Sequence, residues 1–156
     1  MHHPLAVAMD CQPTRSRPFP KWTCRTPLQG AEDYEYEDRP VAPPPDRGAL
    51  DDAQIAALAC GWLRRRRVEV HCTTVGLADP ARRRLWVADL LGERKGRPVL
   101  AVTYFTRKRG THARPSVRAY VAGLREVCRS VYKLRGVQAA VINVYGAGRV
   151  EGAFLE

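Results

Sequence analysis

The chain of 156 residues has room for one compact domain, and nine of its twelve prolines fall before residue 48, so a core is expected only in the remainder. Met1–Arg47 carries six Lys/Arg against seven Asp/Glu, a net of −1, whereas Gly48–Glu156 carries twenty against nine, a net of +11. Such a basic domain attracts polyanions, which makes RNA, DNA or an acidic protein surface the partners to expect, while the lack of any long apolar stretch argues against a membrane span.

Residues 1–47 mix proline, arginine and an acidic knot at Glu32–Asp38 (EDYEYED), without a hydrophobic period, and are expected to form a disordered arm. The apolar run in MHHPLAVAMD is too short for a signal peptide. The folded α/β domain is expected over residues 48–156. Asp51 and Asp52 are good helix N-caps, and Ile55, Leu58, Ala59, Trp62 and Leu63 recur at helical spacing up to Arg64–Arg67, where cations complement the helix dipole. Val68, Val70 and Cys72 then alternate with Glu69, His71 and Thr73 as in a strand. A turn at Ala78–Arg84 holds Asp79-Pro80 and an arginine triplet, and a second strand follows at Leu85–Leu91.

The polar turn Gly92–Pro98 leads into Val99–Phe105, an almost continuous apolar run suited to a strand covered on both faces. After the basic loop Thr106–Pro115, a helix is expected from Ser116 to Leu134, with Val117, Val121, Leu124, Cys128 and Val131 as its core stripe. Arg118, Arg125, Arg129 and Lys133 share another face of it. Gly136 ends that helix, Gln138–Val144 reads as a buried strand, Gly146–Gly148 as a turn and Val150–Leu155 as a final strand. The predicted order is α-β-β-β-α-β-β, with a mixed sheet flanked by helices.

Five cysteines, Cys11, Cys24, Cys60, Cys72 and Cys128, form no CxxC pair and are odd in number, as in an intracellular protein with reduced thiols. His71 beside Cys72 lacks a second pair of ligands, so no metal site is expected, and no cofactor motif is present.

This element order is shared by restriction-endonuclease-like and tRNA-endonuclease-like domains. Ser130–Val144 (SVYKLRGVQAAVINV), followed by YGAGRVEGAFL, resembles a segment of the tRNA-splicing endonuclease family in which a helix ends in Ser-Val-x-Lys and leads to an apolar strand, a turn and a terminal strand. Ala88-Asp89 resembles the Ala-Asp that begins a strand in that family. The resemblance implies that Lys133 falls on the lysine that steadies charge on the scissile phosphate, with the catalytic tyrosine near Glu93 and the catalytic histidine near Pro98. Neither catalytic residue is present, and proline cannot move the protons that cleavage at a 2′-hydroxyl requires. The chain is therefore most similar to the small non-catalytic subunits of that family. This implies a nuclear role in tRNA processing, a hetero-oligomer with a nuclease subunit, and RNA ahead of DNA as ligand.

A second resemblance is to metal-dependent nucleases of the Holliday-junction resolvase type. There Asp89 would be a metal-binding acid, but the Glu-x-Lys of the next strand reads Thr103-Tyr104-Phe105, and neither Thr103 nor Phe105 can supply the lost charge. A small viral or regulatory adaptor that uses the fold for protein contacts is the third alternative. Under each reading no catalytic residue is expected. The candidate nucleic-acid contacts are Arg107, Lys108, Arg109, Arg118, Arg125, Arg129 and Lys133; Asp89 and Lys133 are candidates for a vestigial site; and Val150, Phe154 and Leu155 on the terminal strand are candidates for a partner interface. His112 reads as a loop residue near phosphate.

Overall fold

A computed structural model describes residues 10–14, 21–25, 33–45 and 50–155. Two strands, β1 (Asp10–Thr14) and β2 (Lys21–Arg25), pair antiparallel with each other. The remainder forms an α/β domain with a mixed six-stranded sheet and two long helices, built from β3 (Glu35–Tyr36), α1 (Asp52–Arg65), β4 (Glu69–Asp79), β5 (Arg84–Arg94), β6 (Arg97–Phe105), α2 (Pro115–Ser130), β7 (Gln138–Val144) and β8 (Val150–Leu155).

β4, β5 and β6 form an antiparallel meander, β6 runs parallel to β7 with α2 as the crossover, and β8 returns antiparallel to β7. The helices cover opposite faces. α1 starts in a capping box, in which Gln54 N–H donates to the Asp51 carboxylate and Asp51 N–H donates to Gln54 Oε1. It sets Ala59, Trp62 and Leu63 against Leu90, Val99, Ala101, Ala140 and Ile142. α2 sets Val117, Val121, Leu124 and Cys128 against Val75, Leu91, Leu100, Val102 and Val141 on the other face. β6 and β7 are buried on both sides, which accounts for their unbroken apolar runs.

Three features depart from the sequence reading. First, β4 extends to Asp79, with a bulge at His71 between Val70 and Cys72. Second, α2 ends at Ser130: Leu134 N–H reaches back to Cys128 C=O and Lys133 takes a left-handed conformation, φ 58°, so Lys133 stands in the turn after the helix and not on its basic face. Third, Asp33–Pro45 is packed on the domain instead of disordered. Glu35 N–H donates to Arg83 C=O and Glu37 N–H to Leu85 C=O, which makes β3 a short parallel partner of β5. Tyr34 and Tyr36 cover Leu85 and Val87. Elsewhere in the expected disordered arm, 10–14 and 21–25 form the β1–β2 pair, and residues 1–9, 15–20, 26–32 and 46–47 lie outside the described residues.

Candidate functional site

The sheet opens between β5 and β6. β5 and β6 pair from Leu90↔Ala101 to Arg94↔Arg97, then part, while β4 stays paired with the opposite edge of β5. Backbone groups at a parting of strands need other partners, and here side chains supply them. Asp89 Oδ2 accepts a hydrogen bond from Thr103 N–H at 2.6 Å. Arg39, from the stretch after β3, donates to both Asp89 oxygens at 2.9 and 2.5 Å and to Thr103 C=O at 2.9 Å. One step along, the Tyr120 hydroxyl of α2 accepts from Val87 N–H at 3.0 Å and donates to Val87 C=O at 3.1 Å, standing in for a strand.

The pair is well shielded, with side-chain exposures of 16% for Arg39 and 25% for Asp89. Burial disfavours the Arg39 charge, but the Asp89 charge and its hydrogen bonds outweigh burial and hold the guanidinium pKa above its ordinary value. The Tyr104 ring lies 5.2 Å from the guanidinium carbon and adds a cation–π contact. Burial pushes the Tyr120 hydroxyl up to about 12 and also raises that of Tyr104, so both hydroxyls stay neutral. Thr74 on β4, a β-branched residue at φ 62°, lies between Thr73 and Val75, which pair with Leu90 and Ala88 on either side of Asp89. A strained β-branched residue at that place fits a site whose geometry is fixed by its surroundings.

The arm continues across the opening as a strap. Pro43 C=O accepts from the Thr106 hydroxyl and from Arg107 N–H, each at 3.1 Å, and Val41 C=O accepts from Arg114 Nη1 at 3.0 Å. At its other end Arg84 pairs with Glu35 at 2.9 Å and Glu37 at 3.1 Å, and Arg83 pairs with Asp33. The acidic knot thus partly compensates two cations of the arginine triplet.

The predicted nucleic-acid contacts fall into two groups. Arg107, Lys108 and Arg109 are exposed in a loop held by Thr106, whose hydroxyl accepts from Lys108 N–H, and by Thr111, whose hydroxyl donates to Lys108 C=O. Arg118, Arg125 and Arg129 fall within about 40° of one another around α2, at 100° per residue, on a flank beside its buried stripe. Arg129 is held by Glu126 at 2.9 Å, so its charge is partly compensated. His112 turns its Nδ1 into the protein, where it finds no hydrogen-bond partner among the described residues, so this nitrogen does not face an external phosphate.

The two candidates for a vestigial site are not brought together. Asp89 and Thr103 lie toward the end of β6 that meets the start of α2, whereas Lys133 follows the end of α2, beside the β5–β6 hairpin, where Arg97 Nε donates to Gly136 C=O at 2.9 Å. Glu93 and Pro98 pair with each other in that hairpin, and Glu93 faces His71 at 3.7 Å. Val150 and Phe154 turn toward α1 inside the domain, Phe154 packing on Trp62 at 5.5 Å between ring centres, and Leu155 packs against the core on the α2 face. All three side chains are half-buried, and β8 stands at the edge of the sheet.

Arg39 and Tyr120, which complete the opening, were not among the residues singled out in the sequence. A signal for β3 existed in the alternation of Tyr34 and Tyr36 with Glu35 and Glu37, which has strand period. Among the described residues no cluster of three or more His, Cys, Asp or Glu side chains forms, and no helix is long and apolar enough to cross a membrane. Compared with protein-family models, with curated proteins and with solved structures, the chain matches none.

Proposed function

We infer that this protein is a nuclease-like domain without catalytic activity that binds a nucleic-acid backbone, as a non-catalytic subunit beside a nuclease partner. The observation that carries the reading is Asp89. It sits where two antiparallel strands part, faces the backbone of Thr103, and has both oxygens engaged by Arg39. A carboxylate in such an opening suits metal-assisted phosphate chemistry, but here a guanidinium neutralises it and Thr103 and Phe105 bring no further charge. The cationic flank of α2 and the Lys108–Arg109 loop then serve binding alone.

The geometry around Asp89 favours the metal-dependent nuclease type as the ancestry of the domain. A place in the tRNA-splicing endonuclease family, with nuclear tRNA processing as the role, is the second reading. It draws support from Glu93, Pro98 and the Lys133 turn lying at one end of the sheet.

Mobility-shift titrations against a tRNA, a linear DNA duplex and a four-way junction test the reading. Salt-dependent binding that weakens in the combined variant Lys108→Glu, Arg109→Glu, Arg118→Glu is expected. No binding to any of the three at about 0.1 M salt would overturn it.

A further inference from the structure

The end of the sheet opposite the Asp89 opening gathers cations that neither the strap nor the α2 flank uses. α1 ends in Arg64–Arg67, the β5–β6 hairpin carries Arg94, Lys95 and Arg97, and the turn after α2 carries Lys133 and Arg135. A chain of contacts joins them. The Arg66 guanidinium lies 3.8 Å from the Trp62 ring centre, Trp62 packs on Phe154, and Arg94 lies 4.7 Å over the Phe154 ring. Arg94 pairs with Arg97 across the hairpin, and Arg97 bonds Gly136 C=O. The cations therefore form a belt from the α1 face, over the end of the sheet, to the α2 face.

Among the described residues nine cations stand here against Glu69 and Glu93, a net of +7. Among the described residues no ion pair ties Arg64, Arg65, Lys95, Arg97, Lys133 or Arg135, whereas Arg39, Arg82, Arg83 and Arg84 near the other end each have a carboxylate partner. Arg66, Arg94 and Arg97 make local contacts with Trp62, Phe154 and Gly136, but clustered like charges repel, and the cations without an ion pair add to that repulsion. Backbone conformation adds to this, although Arg83 at the other end, paired with Asp33, is left-handed too at φ 53°. Arg67, Lys95 and Lys133 have φ of 62°, 53° and 58°, the left-handed region in which glycine avoids a Cβ clash. Three turns around one end of the sheet each hold a cation where glycine fits the backbone better.

The geometry points to a second phosphate-binding surface on this belt, fitted to the sugar-phosphate backbone of a nucleic-acid duplex. It continues the α2 flank through a recess lined by Arg125, Arg129 and Arg135. Arginine forks take phosphate oxygens in pairs. β6 spans nine residues, roughly 30 Å, so the belt and the Lys108–Arg109 loop lie about one duplex turn apart and contact one duplex together.

This surface rests on the nucleic-acid reading above, and the test separates the two. Fluorescence anisotropy with labelled RNA and DNA duplexes of about 30 base pairs is followed across a salt titration for wild type, for a belt variant (Arg65→Gln, Lys95→Gln, Arg135→Gln) and for a flank variant (Lys108→Gln, Arg109→Gln, Arg118→Gln). Each variant is expected to lose about tenfold or more in affinity and to lower the salt slope by about 2 to 3. The paired change Lys95→Gly and Lys133→Gly relieves the backbone, and is expected to weaken binding without lowering the melting temperature. If the belt variant binds with wild-type affinity and slope while the flank variant does not, the belt proposal is overturned and the nucleic-acid reading stands. If wild type binds neither duplex at about 0.1 M salt, both fall.

Discussion

Replacing Arg39 by alanine removes three hydrogen bonds at once, two to Asp89 and one to Thr103 C=O. Asp89 is left with the Thr103 N–H alone, and Thr103 C=O loses its guanidinium donor. Breaking a fully buried ion pair by truncating one partner costs about 3–5 kcal/mol. Exposures of 16% and 25% and the surviving Thr103 bond lower this to about 2–3 kcal/mol. Urea unfolding followed by tryptophan fluorescence, with Arg39→Ala, Asp89→Asn and the double variant, gives the cycle that isolates the pair. A coupling of about 1.5–3 kcal/mol is expected, since the two side chains touch and share Thr103. Arg39→Lys should not restore it, because a single ammonium cannot span both carboxylate oxygens and the carbonyl. The strap should also be cut faster by protease in Arg39→Ala, within 33–45. Stability within about 0.5 kcal/mol of wild type, or additive single and double variants, would refute the idea that this pair closes the opening.

Tyr120→Phe deletes both bonds to Val87 and leaves a buried N–H and C=O unpaired, at a cost of about 2–3 kcal/mol by chemical unfolding. Because burial raises the Tyr120 pKa to about 12 in the folded state, its contribution is complete below the unfolded value near 10 and is lost as pH rises through about 12, so the alkaline limb of a stability–pH profile should be shallower in Tyr120→Phe. Gly123→Ala drives a Cβ to 2.2 Å from Trp86 Cη2, and a loss of about 1–3 kcal/mol is expected in the same assay. Lys95→Gly should raise stability slightly, by up to about 1 kcal/mol, as relief of left-handed strain exceeds the added chain entropy.

Periodicity makes the helices and the central strands legible in the sequence. The stripe from Ile55 to Leu63 and the Asp51 cap locate α1, and the run Val99–Phe105 locates a strand buried on both faces. The end of α2 was not legible, because Val131 continues the apolar period and Gly136 looks like the stop. In the structure Lys133 takes the left-handed position that closes the helix, a place where glycine or asparagine is the usual sign. The Arg39–Asp89 pair was hidden for a different reason. Its partners are 50 residues apart, and Arg39 lies in a stretch whose prolines and charges look like a disordered segment. What holds that stretch is a specific set of polar contacts and two tyrosines, and composition does not record such contacts. Asp89 was visible as a residue out of place on an apolar strand; its neutralising partner was not.

The closure of the Asp89 opening is tested most directly by incubating the protein with end-labelled RNA and DNA, with and without Mg²⁺ or Mn²⁺, and resolving the strands on denaturing gels beside Asp89→Ala and Arg39→Ala. Substrates that are bound yet remain intact in every case are the expected result. Cleavage by wild type that disappears in Asp89→Ala would contradict a sealed, non-catalytic site.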